Sequence, residues 1–260
     1  MTDLATRART LLDLHTAPEL LVLANVWDVV SAQAVAGVDG IGAVATASHS
    51  ISSTFGYPDG EQIPFDLHLD MVERIVQAVD VPVSMDLEGG YGDVGGSVRR
   101  AIAVGVVGGN LEDQAKPLDE AVAGVEAALA AGRDAGIDFV LNARTDLLIK
   151  APQDADRADL LRDAIERCQA FLAAGAPVVF VPGLAAREEI AQVVAAIGRN
   201  KLSMITAPGG SLPAAEFQEL GAARVSTGPF TQRVALTALQ DAARALLDGG
   251  TLPEGTRALN

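Results

Sequence analysis

Short apolar runs alternate with longer segments of helical spacing from one end of this chain to the other, and that alternation restricts its fold more than any other feature. The apolar runs lie at 20–24, 41–47, 83–87, 105–111, 139–142, 178–181, 202–206 and 224–226. Helical spacing covers 4–14, 31–36, 65–79, 96–104, 118–135, 156–174, 188–197, 214–220 and 231–247. Gly37, Gly136 and Gly175 stop three of these segments, as helix C-termini favour. The Gly/Ser/Pro-rich stretch 51–63 reads as a long loop that carries Asp59. A strand followed each time by a helix implies a parallel sheet, because the helix returns the chain to the same end of the sheet. Eight such units in 260 residues favour a closed (β/α)8 barrel of the TIM type over an open doubly wound sheet. No G-x-G-x-x-G follows the first strand, so a dinucleotide fold has no support. No repeat or linker divides the chain, and residues 1–260 read as a single barrel domain.

Barrels of this kind carry their chemistry at the C-terminal ends of the strands. The polar residues that matter are therefore those ending the apolar runs. They are Met85-Asp86-Leu87-Glu88-Gly89-Gly90-Tyr91-Gly92, Asn110-Leu111-Glu112-Asp113-Gln114 and Asn142-Ala143-Arg144-Thr145-Asp146. The period of two along a strand puts Asp86 and Glu88 on one side, facing the barrel mouth. Glu112 ends the next strand, and Asp59 sits on the loop after the second. Carboxylates crowded into one mouth repel each other, so they either carry a proton or hold a cation. One or two direct carboxylates plus waters is the usual way to hold Mg2+. Asp86, Glu88, Asp59 and Glu112 are thus the candidate metal ligands, with Mn2+ as the alternative ion. The competing reading is ordinary solvated acids in a chain of net charge −15.

Arg144 beside such a site is suited to grip a substrate carboxylate through two parallel hydrogen bonds. Its structural alternative is an ion pair with Asp146 or Glu112, and the two roles can coexist. Ser48 offers a hydroxyl and the N–H groups of the following turn to an oxyanion or carboxylate; a loop-capping serine is the alternative. His49 is the one histidine near the proposed mouth and is a candidate acid or base, against a packed or solvated loop histidine. His15 and His68 read as incidental, and Cys168 as a small core residue.

The acidic balance, with no Lys/Arg cluster, gives no basic face for nucleic acid. A single cysteine excludes an internal disulfide and accords with a reducing, cytoplasmic setting. Residues 1–7 lack the basic-then-apolar pattern of a secretory signal, and no apolar run has the length of a membrane span.

In these motifs the chain resembles the isocitrate lyase/phosphoenolpyruvate mutase superfamily. The resemblance runs from about Asn25 to Pro229 and includes Asn25-Val26-Trp27-Asp28 and Gly56-Tyr57-Pro58-Asp59. Asp86-Leu87-Glu88-Gly89-Gly90-Tyr91-Gly92 is similar to its D-x-[DE]-x-G-[YF]-G signature. The resemblance implies an Mg2+ enzyme acting on small 2-oxo or 2-hydroxy acids through a pyruvate-like enolate. Asp86 would bind the metal directly, and Asp59, Glu88 and Glu112 would hold its waters. Arg144, Ser48, His49 and Glu112 would form the catalytic set. Trp27, Ser48, Asp59, Tyr91 and Arg144 would face the substrate. A dimer or tetramer is also implied, with the last helix, 231–247, as the segment exchanged between subunits. The chain departs from the family lyases after the fourth strand. There Gln114-Ala115-Lys116-Pro117-Leu118-Asp119 replaces a K-x-C-G-H loop, with no Cys or His. Near the sixth strand, where the family often has Glu or His, it reads Val181-Pro182-Gly183. The expected activity is therefore C–C cleavage of the oxaloacetate decarboxylase kind, since CO2 loss needs no base to remove a hydroxyl proton. The alternatives are a phosphonate P–C enzyme, with Lys116 as a remnant of the mutase loop, and a non-catalytic 2-oxo acid binder.

Overall fold

The structure is a computed structural model and describes residues 3–259. Its strands are β1 (Leu21–Leu23), β2 (Asn25–Val26), β3 (Val44–Thr46), β4 (Val83–Asp86), β5 (Gly108–Glu112), β6 (Val140–Arg144), β7 (Val178–Phe180), β8 (Leu202–Ile205) and β9 (Arg224–Ser226). Its helices are α1 (Leu4–Thr16), α2 (Val29–Ala36), α3 (Ser48–Thr54), α4 (Phe65–Ala78), α5 (Val94–Ala103), α6 (Leu118–Asp134), α7 (Leu147–Lys150), α8 (Arg157–Ala173), α9 (Arg187–Ile197), α10 (Ala214–Leu220) and α11 (Phe230–Leu247). All strand pairs are parallel. The first strand breaks at Ala24. Its first half, β1, pairs with β9, and its second half, β2, pairs with β3. The two halves are one strand of the barrel, so the sheet closes on itself as an eight-position (β/α)8 barrel, as expected.

The helices cover the barrel through faces that their spacing dictates. In α8 the buried residues are Leu161, Ala164, Cys168 and Phe171, and in α9 they are Ile190, Val193, Val194 and Ile197. Steps of three and four put each set on one face. Asp28 and Ser31 form a capping box that starts α2, and Asp156 caps α8. Helix α1 sits under the strand beginnings: Leu11 is fully buried and lies against Gly108, the first residue of β5.

The structure differs from the sequence reading in four places. The stretch after the second strand is helix α3 before it becomes loop, because Ser48, Ser50, Ile51 and Ser52 are buried there. Burial overrides the weak helix propensity of serine. A single helical turn, α7, follows β6 and had no sequence signal of its own. The fourth strand starts at Gly108 rather than Gly105, whose φ of 98° ends the preceding turn. The fifth strand, β6, runs on to Arg144, which therefore lies in the ladder and not in a loop.

Helix α11 stands apart. Its only buried residue is Gln232, which donates from its amide to the carbonyl of Ser50. Val234, Leu236, Leu239, Leu246 and Leu247 are all exposed along it. Among the described residues, no helix is long and apolar enough to cross a membrane.

The glycines of β5 follow from packing. A Cβ at Gly108 would lie 2.7 Å from Leu11 Cδ2 and 2.7 Å from the Val140 carbonyl oxygen. The Gly108→Ala variant is expected to lose about 1–3 kcal/mol of stability through overpacking, read as a lower urea midpoint at unchanged m-value.

Candidate active site

Adjacent strands carry their inward side chains in register, so the last residues of neighbouring strands meet around one opening. Glu112 is opposite Arg144, and Arg144 opposite Phe180. Together with Asp86 they line a cavity of about 220 Å3 at the strand ends. Pockets for drug-sized ligands run from about 300 Å3 upward, so this one is scaled to a small metabolite. Ser48, His49, Asp59, Asp86, Glu112 and Arg144, all named from the sequence, share its wall. Trp27, Glu88 and Tyr91 do not.

Asp86 is the most heavily supported of these side chains. Its Oδ2 accepts from the backbone N–H of Ser48 at 3.0 Å and from the Ser48 hydroxyl at 2.7 Å. Its Oδ1 accepts from Asn110 Nδ2 at 3.1 Å. Behind Asn110 stands a buried chain of donors. Asn142 Nδ2 donates to Asn110 Oδ1 at 2.9 Å, and the Ser203 hydroxyl donates to Asn142 Oδ1 at 2.6 Å. Asn110 and Asn142 belong to the strand-end motifs, yet their role was not legible there. Ser48 is thereby fixed by Asp86, its N–H and hydroxyl already in use.

Arg144 carries both of the ion pairs foreseen for it, Nη1 to Glu112 at 2.8 Å and Nε to Asp146 at 2.7 Å. Burial opposes its charge, but Glu112, Asp146 and Asp86 hold it protonated above its ordinary value. Burial pushes the Glu112 carboxyl up to about 8 against the pull of Arg144, and the charges of Asp86, Asp146 and Glu88 add to the rise. His49 is half-buried, and its Nδ1 is buried without a partner.

Glu88 turns away from the cavity. Strand β4 ends at Asp86, and Glu88 has a φ of 50°, so the period-two rule no longer governs its direction. Its Oε1 accepts from the Tyr91 hydroxyl at 2.8 Å, and its Oε2 accepts from the Glu61 N–H. His68 Nδ1 reaches the Tyr91 oxygen at 2.9 Å, which makes this histidine part of the site's support rather than incidental. With the tyrosine proton given to Glu88, His68 must be the donor at Nδ1. Burial holds His68 down to about 4, so it is neutral at physiological pH. Glu61, Glu88 and Tyr91 all have left-handed backbone, at φ 60°, 50° and 53°. These conformations cost energy in residues other than glycine and cluster here at the mouth.

Among the described residues no three His, Cys, Asp or Glu side chains converge closely enough to enclose a bare metal ion. Asp59, Asp86 and Glu112 nonetheless share one wall as hard oxygen donors, and burial together with the charge of Asp86 raises the Glu112 carboxyl, a rise that a cation there would oppose. That donor set fits a small divalent ion that keeps most of its water. Glu88 contributes to it through charge, not as part of the wall.

The family model described as phosphoenolpyruvate phosphomutase matches residues 11–247. An uncharacterised protein of Mycobacterium tuberculosis is 34% identical over 244 residues, covering 93% of this chain and 90% of its own. The oxaloacetate decarboxylase of Paraburkholderia xenovorans is 29% identical over 263 residues, covering 95% of this chain and 84% of its own. A crystal structure provisionally described as a phosphonomutase from Burkholderia cenocepacia superposes with a TM-score of 0.84 at 36% identity, covering 95% of this chain and 100% of that one.

The raised carboxyls have a consequence for stability. Burial lifts Glu88 from 4.5 to about 7 and Glu112 to about 8. Between those limits the folded chain keeps protons that the unfolded chain has released, so in metal-free protein these groups make stability fall as pH rises. In chelator-treated samples, Glu88→Gln should flatten the fall of Tm between pH 5 and about 7. Identical slopes in wild type and variant would contradict the assignment.

Proposed function

The chain belongs to the isocitrate lyase/phosphoenolpyruvate mutase superfamily, and on that premise we propose that it is an Mg2+-dependent lyase. It cleaves a C–C bond of a small 2-oxo or 2-hydroxy acid, with loss of CO2 from oxaloacetate as the simplest case. The observation that carries this reading is the pairing of an acidic, Arg144-braced cavity with a curtailed β5–α6 connection. Helix α6 begins at Leu118, six residues after β5 ends at Glu112. The residues between contain no Cys or His, and Gln114 and Ala115 are left-handed. Its two titratable groups stand away from the cavity, Asp113 paired with Arg167 and Lys116 at the neighbouring pocket, so it supplies no group to remove a hydroxyl proton, and decarboxylation does not require one. The Paraburkholderia oxaloacetate decarboxylase among its relatives agrees with this choice.

In this reading Asp86 would bind the ion directly, and Asp59 and Glu112 would hold it through water. Mg2+, or Mn2+ in its place, supplies the positive charge that stabilises an oxyanion developing on the 2-oxo group. The chain does the rest. Ser48 and the Asn110–Asn142–Ser203 chain hold Asp86 in one orientation. Arg144 is locked by Glu112 and Asp146, lines the cavity, and is the cation we assign to a substrate oxygen. His49 is the cavity's one histidine among the lining residues, and it is the group we assign to hold the proton that the carbanionic carbon takes up. Tyr91 acts from behind, through Glu88.

A phosphonate P–C reaction is the second reading, favoured by the family model's description and by the phosphonomutase likeness. Lys116 does not support it, since it faces a smaller neighbouring cavity.

The exposed apolar side of α11 favours a homo-oligomer, because an uncovered patch of this kind is unusual on a monomer. Its exposed leucines make α11 the segment to place at a subunit contact. Light scattering should give a mass above one chain, and Leu239→Glu should reduce it; a monomeric wild type would refute this.

The activity is tested by product NMR on a pool of 2-oxo and 2-hydroxy acids, phosphonopyruvate included, with Mg2+. Turnover is expected to fall at least about 100-fold in Asp86→Ala and to vanish with chelator, since the whole stabilisation of the oxyanion is lost. Phosphonopyruvate as the only compound consumed would select the second reading. An untouched pool would reject both.

A further inference from the structure

The cavity contains a second arginine that neither the sequence motifs nor the proposed chemistry employs. Arg224 opens β9, is 4% exposed, and lines the same cavity as Asp86 and Arg144. The two arginines differ in one respect. Arg144 is satisfied by two carboxylates, whereas Arg224 makes no ion pair among the described residues. Its Nε is buried without a partner. Its single hydrogen bond runs from Nη1 to His15 Nε2 at 3.5 Å.

His15 is suited to that contact. Its Nδ1 lies 2.8 Å from the Leu11 carbonyl and must donate to it, which leaves Nε2 as an acceptor facing the guanidinium. Burial and the charge of Arg224 hold His15 down to about 3, so it is neutral and adds no repulsion. Helix α1 therefore supplies a neutral prop for a buried cation. Burial also draws Arg224 down, to about 10, while the charge of Asp86 works against that fall. The guanidinium is thus protonated at physiological pH and near enough to Asp86 to feel it.

A buried cation without a counter-ion is costly, because the desolvated charge has nothing to compensate it. Among the described residues no carboxylate pairs with this charge, and the substrate cavity lies open beside it. We propose that Arg224 is the carboxylate anchor of the cavity, receiving the carboxylate that the substrate keeps through C–C cleavage. This rests on the 2-oxo acid reading above and names the residue that fixes which end of the acid goes in first. The retained carboxylate is the chemically consistent partner. A salt bridge to a carboxylate leaving as CO2 would stabilise the ground state more than the transition state and slow the step. With the retained end at Arg224, the 2-oxo group is directed to the acidic side of the cavity, where Asp86 stands. His15 is a positioning residue in this scheme, because it touches only the guanidinium.

Calorimetric titration with pyruvate and with its neutral amide, pyruvamide, tests the assignment, with Mg2+ present throughout. The ligands share the 2-oxo group and differ in the carboxylate. Wild type is expected to prefer pyruvate. In Arg224→Met that preference should shrink by about 10- to 100-fold, the scale of a charge-assisted hydrogen bond, with pyruvamide affinity little changed. Arg224→Lys should recover part of it. Arg224→Met replaces an unpaired buried charge with an apolar chain of similar length, and its Tm should not fall, so misfolding is monitored separately. A preference unchanged in Arg224→Met, or equal weakening of both ligands, overturns the anchor and leaves the lyase reading standing. A wild type that binds both alike overturns the anchor alone, and one that binds neither overturns the 2-oxo acid reading and the anchor with it. Intact binding preferences in a protein without turnover reject the lyase reading alone.

Discussion

The buried donor chain from Ser203 through Asn142 and Asn110 to Asp86 is the interaction on which the rest of the site depends. Each link carries a proton donor toward the next acceptor, and the chain ends on a carboxylate. It spans β8, β6, β5 and β4, so the direction of Asp86 is tied to the register of the barrel rather than to one loop. In a closed barrel the inward positions have no water to satisfy them, and an unpaired amide there would cost about 1–3 kcal/mol. Polar residues at that depth are tolerated only as a connected set. The set found here serves stability and site geometry at once: the groups that need partners find them in the order that aims Asp86 into the cavity.

Charge placement follows the same logic. Arg144 sits between Glu112 and Asp146, and Asp146 is also approached by Lys150 at 3.2 Å. Asp113 is held by Arg167 at 2.8 Å and accepts from the Asp146 N–H at 2.9 Å. The acids behind the wall are therefore paired. Of those that face the cavity, Glu112 pairs with Arg144, whereas Asp59 and Asp86 make no ion pair among the described residues. A wall of unpaired acids on one side and an unpaired guanidinium on the other gives the cavity a polarity. It favours a cation at the acidic side and an anion at Arg224, and a 2-oxo acid bound with a metal has that arrangement of charge.

How much of this was readable from the chain depends on whether a residue's role is set by local pattern or by distant contacts. The barrel was legible, because strand–helix alternation and glycine stops are local signals. The wall was legible for Ser48, His49, Asp59, Asp86, Glu112 and Arg144, because a strand end in a barrel is a place as well as a sequence position. Glu88 was misdirected, since the period-two rule was carried two residues past the end of β4, into left-handed backbone. His15 and His68 were passed over for a different reason. Each looks like an ordinary helix residue, and its partner, Arg224 or Tyr91, lies 209 or 23 positions away. Arg224 itself was hidden by occupying the start of a strand, where the barrel rule places stability rather than chemistry. It lines the cavity from that position all the same.

The mouth bears on the chemistry in a way that composition does not reveal. Glu61, Glu88, Tyr91, Gln114 and Ala115 are all left-handed, and they are cross-linked. The Tyr91 N–H donates to Glu61 Oε1 at 2.6 Å, and the Gln114 amide reaches Glu61 Oε2 at 3.5 Å. The same amide packs on Gly89 so closely that a Cβ there would come within 2.1 Å of it. Three loops are thereby clipped together around two acids. Backbone of this kind persists only where its surroundings over-determine it. The connection that would otherwise form a long lid is instead part of the clip. A site built this way has its electrostatics in place before the substrate arrives, and it gives up the water exclusion that a closing lid supplies. Decarboxylation tolerates that exchange, because its carbanion needs a proton from somewhere nearby and water is an acceptable source. A reaction that must shield a reactive phosphoryl intermediate from water does not.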